Sequence, residues 1–86
     1  MKIPEKIERE HIFQAIIKIE KEGVPAHRHA KDYAMLYEGK QYPCKLIISW
    51  ANFYAMGEEL DPNPSVFNTY MAHDYLIKKG FTIIKI

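Results

Sequence analysis

Two short runs of this sequence carry residue types that could do chemistry. The first is His27-Arg28-His29-Ala30-Lys31. Arginine grips phosphate oxygens through paired hydrogen bonds, and histidine adds a donor and a charge that depends on pH. The second is Gln41-Tyr42-Pro43-Cys44-Lys45-Leu46, where an extended stretch meets a proline suited to open a helix. A helix start has unpaired N–H groups and a partial positive charge, so an anion is stabilised there. Lys45 adds a formal charge, and Tyr42 and Pro43 supply rigid walls. A solvated loop and a core tyrosine would explain each run taken alone. Charge segregation links them: residues 26–46 hold Arg28, Lys31, Lys40 and Lys45 against Asp32 and Glu38, while residues 57–64 hold Glu58, Glu59 and Asp61 with no cation.

Other chemistries find too few residues. His27-x-His29 has the look of half a zinc site, but such a site takes three or four ligands, and only His11, His73 and Cys44 are good further donors. Cys44 lacks a visible base and orienting group, so an inert, packed thiol is expected rather than a nucleophile. His73 and Asp74 diverge by about 100° on a helix and make no dyad; both are expected on the surface. No metal, cofactor or catalytic residue is predicted.

Length and composition bound the rest. The 86 residues suffice for a single domain, 1–86, and a composition 48% hydrophobic and 27% charged suits a packed core. Twelve Lys and Arg against eleven Asp and Glu leave a net charge of +1, so any basic surface is local. Cys44 has no second cysteine to bond, and no secretory leader is recognisable, which predicts a cytoplasmic setting. No apolar run approaches the roughly 20 residues of a membrane-spanning helix, so no membrane association is expected.

The elements that must hold these residues can be read from periodicity. A first helix is predicted from near Pro4 to Glu22, with Ile12, Phe13, Ile16, Ile17 and Ile19 on one face, Ile7 off that stripe, and Gly23 and Pro25 as the stop. Tyr33, Met35 and Tyr37 alternate, Glu38-Gly39 turns, and Lys40-Gln41-Tyr42 returns as a hairpin. A second helix, Cys44 to Met56, carries Leu46, Ile47, Trp50, Ala51, Phe53 and Tyr54 around most of its circumference, with Lys45, Ser49 and Asn52 as a polar stripe. An acidic loop follows. Ser65 is expected to cap a third helix over 65–79, with Val66, Phe67, Tyr70, Met71 and Ile77 inward, and residues 81–86 to form a closing strand. The predicted order is α-β-β-α-α-β, an α+β domain with three helices on a short three-stranded sheet. An eight-residue, proline-containing connection between the second and third helices argues against a helix-turn-helix, and a hairpin placed before those helices argues against a winged helix.

The run from Lys31 to Ala51, with its tyrosines, its glycine and the Tyr42-Pro43-Cys44-Lys45 box ahead of a helix, resembles accessory domains of McrA-type, modification-dependent HNH restriction endonucleases, including their N-terminal head and DNA sulfur-binding domains. Gly57, Leu60, Phe67, Leu76 and Gly80-Phe81 fit the same pattern, so the resemblance spans about residues 12–86. It implies DNA binding. In the sulfur-binding branch it implies a cavity for a modified phosphate built from Tyr42, Pro43 and Leu46, assisted by basic residues for which His27, Arg28 and His29 are the local candidates. Cys44 stands where the box has a second proline, Leu46 where a smaller residue is common, and Val66-Phe67-Asn68-Thr69 where a Phe-x-Gly-Gly element is usual. Phosphorothioate recognition is therefore not assigned.

The function expected from the sequence is a non-catalytic DNA-binding module in a restriction or defence setting, a candidate reader of modified DNA through a backbone phosphate or phosphorothioate. It would contact phosphates through His27, Arg28, His29, Lys31, Tyr42, Pro43, Lys45, Leu46 and Ser49. No HNH nuclease motif is present, so this chain is not expected to cut DNA, and it could serve as a reader domain of a larger nuclease or as a free-standing homologue. The alternative is a protein-interaction module that positions a nuclease or motor partner through exposed tyrosines or the acidic loop.

Overall fold

The hairpin is built by its turn. Glu38 and Gly39 both adopt positive φ, 49° and 79°, the pairing whose twist matches that of two antiparallel strands. In the computed structural model, which describes residues 3–86, β1 (Tyr33–Tyr37) and β2 (Lys40–Tyr42) pair with Tyr37 opposite Lys40 and Met35 opposite Tyr42. The closing strand β3 (Thr82–Lys85) lies antiparallel on the other edge of β1, with Tyr33 opposite Lys85 and Leu36 opposite Thr82, so the sheet order is β2-β1-β3.

Pro43 ends β2 and caps α2 (Cys44–Met56), which Gly57 closes in the left-handed conformation at φ 89°. None of the residues from Cys44 to Asn52 is exposed, and α2 is the axis of the core. Against it packs α1 (Arg9–Glu22), burying Ile12, Ala15, Ile16 and Ile19. The third helix, α3 (Thr69–Lys78), contacts both α2 and β3. The order α-β-β-α-α-β and the α+β class are those read from the sequence.

The structure corrects four details. The first helix begins at Arg9, not near Pro4: Ile3 and Ile7 are both buried, and the Tyr75 hydroxyl donates to the Ile7 carbonyl at 2.7 Å. A helix running from Pro4 would have carried Ile7 away from that position, since it lies off the apolar stripe. The third helix begins at Thr69, not Ser65. Asn63 takes Ser65 into a turn by accepting its N–H at 2.9 Å, and Asn68 caps the helix by accepting from the Met71 N–H at 2.9 Å. The later start changes the inward face to Ala72, His73 and Leu76, leaving Tyr70 and Ile77 exposed and His73 buried rather than on the surface. Phe53 and Tyr54, near the end of α2, are also exposed, as is Ile17 on α1.

The chain ends are locked together at Gly80. The Arg9 guanidinium donates to the Lys79 carbonyl and lies 4.7 Å from the centre of the Phe81 ring. Gly80 has φ +92°, and a Cβ there would stand 2.7 Å from Arg9 Nη1. Gly80→Ala is expected to destabilise the fold by about 1–2 kcal/mol from the backbone conformation alone, with a further loss from displaced Arg9. Urea unfolding of the two proteins checks this.

Candidate nucleic-acid interface

Two helix N-termini meet in one groove. In α2 the first backbone bond runs from Ile47 N–H to the Pro43 carbonyl at 3.0 Å, so the N–H groups of Cys44, Lys45 and Leu46 have no intrahelical partner. In α3 the Met71 and Ala72 N–H groups are taken by Asn68, leaving those of Thr69 and Tyr70 in the same position. Cys44, Lys45, Leu46, Thr69 and Tyr70 all line an open groove of about 520 Å³, closed on its other sides by residues 27–33, Pro62 and His73. Both helix dipoles therefore present their positive ends to one space.

The basic loop is fastened to α2 through one hydroxyl. His27 sits in the left-handed region at φ 65°, and the Arg28 N–H closes the turn on the Pro25 carbonyl at 3.1 Å. Arg28 Nη2 then donates to Ser49 Oγ at 3.2 Å, and Ser49 Oγ donates to the Leu60 carbonyl at 2.8 Å. Ser49 is fully buried, so it positions Arg28 from behind rather than facing the groove. A guanidinium has five N–H donors, and one is used here. Lys45 Nζ donates to the Pro62 carbonyl and lies 4.7 Å from the centre of the Phe67 ring. Burial, and then the nearby Arg28 charge, hold its ammonium below the ordinary lysine range.

Pairing elsewhere sharpens the local charge. The salt bridges among the described residues join Lys18 to Glu22, Lys40 to Glu20 and Lys79 to Glu8, and none uses Arg28, Lys31 or Lys45. The groove thus holds three cationic side chains against the single carboxylate of Asp32. The acidic loop is tied down along α2: Asn52 Nδ2 donates to the Glu58 carbonyl at 2.9 Å, and Trp50 Nε1 donates to Glu59 at 3.1 Å.

Of the residues singled out in the sequence, the groove gathers His27, Arg28, His29, Lys31, Pro43, Lys45 and Leu46. Tyr42 is not among its walls. It is buried and lines a separate apolar depression with Phe13, Ile16, Tyr37 and Lys40. In exchange the groove includes Tyr33, Tyr70 and His73, which sequence reasoning passed over. Tyr70 and His73 stand three apart on α3, a spacing that puts them on one face, but the signal is readable only once Asn68 is known to be the cap.

Over residues 5–85 the sequence matches the family of ScoMcrA-like, N-terminal head domains. The chain belongs to that family. No curated protein and no solved structure matches it. The head domain is thereby an accessory module of restriction proteins. Among its described residues no group of three or more His, Cys, Asp or Glu side chains is placed to hold a metal ion, and no helix is long and apolar enough to cross a membrane.

Cys44 lies at the start of α2, yet burial pushes its thiol up to about 12, outweighing the lowering effect of backbone hydrogen bonding. A thiolate is the reactive form of cysteine. Alkylation of Cys44 by iodoacetamide at pH 7.5 is expected to be slower by orders of magnitude in the folded head domain than in urea, as mass spectrometry over time would record. Because the folded thiol titrates above its unfolded counterpart, its contribution to stability is complete at neutral pH and is lost as pH rises toward 12.

Proposed function

We propose that this head domain is a non-catalytic DNA-binding module of a cytoplasmic restriction system, taking backbone phosphates into the groove at the starts of α2 and α3. The observation that carries this reading is the convergence of two helix N-termini with Arg28, Lys31 and Lys45, none of them in a salt bridge among the described residues. Each component favours an anion, and their sum favours a polyanion. Arg28 is the principal phosphate ligand, with Lys45 and the free N–H groups beside it. His27, His29 and Lys31 supply further donors along the loop. Tyr42 faces another depression and Leu46 is almost fully buried, so the reading includes phosphate recognition without selection for sulfur.

Fluorescence anisotropy with matched plain, base-methylated and phosphorothioate DNA at two salt concentrations tests the proposal. Binding is expected to weaken with salt and to be alike for plain and phosphorothioate backbones. Arg28→Ala and Lys45→Ala are each expected to reduce the salt slope by about 1, whereas Lys21→Ala, in the last turn of α1 and not lining the groove, leaves affinity within twofold. Absence of binding at low salt, or wild-type behaviour of both groove variants, would overturn the reading.

A further inference from the structure

The groove has a second cluster beside its cations. The Tyr33 and Tyr70 rings lie 5.2 Å and 6.2 Å from the His73 ring, and all three line the groove. Tyr70 is 74% exposed and Tyr33 is also exposed, while His73 is only 8% exposed. Nε2 of His73 is buried with no hydrogen-bond partner among the described residues. A buried polar atom without a partner is uncommon enough to need a physical reason, and one such reason is a ligand that brings the partner.

On this evidence we infer that the groove takes an unpaired DNA nucleotide, its base laid on the Tyr33, Tyr70 and His73 cluster and its phosphate turned toward Arg28 and the start of α2. The inference rests on the DNA-binding reading and specifies the form of DNA. Three observations favour an unpaired strand over a duplex. Aromatic faces next to cations are the recurring platform for single-stranded nucleic acid, and base faces are hidden inside a duplex stack. No residue of α2 from Cys44 to Asn52 is exposed, so the part of this helix that borders the groove has no free face to lay in a major groove. At about 520 Å³ the groove has the size of a small-ligand cleft, suited to one nucleotide.

His73 suits a base better than a phosphate. Burial pushes its imidazole below the ordinary histidine range, against the opposing charge of Asp74. A neutral ring both donates and accepts, as the edge of a nucleobase does, whereas a phosphate oxygen only accepts. The two clusters thus match the two halves of a nucleotide.

Three fluorescein-labelled probes test this: a 12-mer thymidylate strand, a fully paired 12-base-pair duplex, and the same duplex with one extruded thymidine. The strand and the bulged duplex are expected to bind several-fold more tightly than the paired duplex. Tyr70→Ala, at a largely exposed position, is expected to weaken strand and bulge binding by about 5- to 150-fold, far more than it weakens paired-duplex binding. Arg28→Ala is expected to weaken all three. Paired duplex bound as tightly as the strand, or Tyr70→Ala without effect on the strand, would overturn the inference and leave the phosphate-binding reading in place. Failure of all three probes to bind at low salt would overturn both.

Discussion

A helix that is apolar on nearly every side must be covered on every side, and this requirement governs the fold. Around α2 the cover comes from α1, from α3, from the sheet and, where its polar residues lie, from loops. Ser49 and Asn52 are as buried as their apolar neighbours, so their hydrogen-bonding groups need partners inside the protein. Ser49 Oγ donates to the Leu60 carbonyl and Asn52 Nδ2 to the Glu58 carbonyl, while Asn52 Oδ1 is left without a partner among the described residues. The polar stripe of α2 is therefore not its solvent face. It is the seam along which two irregular segments are fixed, and one of them carries Arg28.

That arrangement converts a nearly neutral chain into one with a directed field. Several cations remote from the groove are spent on structure: Arg9 donates to the Lys79 carbonyl and lies over Phe13 and Phe81, Lys18 lies over Trp50, and Lys79 joins Glu8. The groove cations are instead held by neutral partners, a serine hydroxyl for Arg28 and a proline carbonyl for Lys45. A neutral anchor fixes position without cancelling charge, which a carboxylate would do. Net charge alone, +1 for the chain, conceals this distribution.

Much of this was legible in the sequence where local signals are strong and unopposed. Glu38-Gly39 dictated the hairpin, Pro43 and Gly57 bracketed α2, and the density of apolar residues in α2 marked it as central. The start of α3 was not legible, because Ser65 and Asn68 are both good caps and only the turn made by Asn63 decides between them. That displacement of the start hid Tyr70 and His73 as groove residues, since the inward face of a helix follows from where it begins. Ile7 was obscured for the opposite reason: it is buried by a segment that is not helical, where a helical stripe has no meaning. Tyr42 carried a strong local signal that tertiary structure redirected. Its neighbour Pro43 lines the groove, but the tyrosine ring packs toward α1.

The sheet order has a consequence for how the chain is made. β1 is central, yet one of its two partners is β3, whose residues follow it by more than forty positions. While the chain leaves the ribosome, β1 and β2 can close as a hairpin, but the other edge of β1 stays open until Thr82–Lys85 emerges. During that interval Ala34 and Met35, fully buried in the finished domain, sit on a strand with unpaired backbone groups. Completion of the sheet thus waits for the last strand of the domain, and the interval before it is when the nascent domain is most exposed to pairing with a foreign strand.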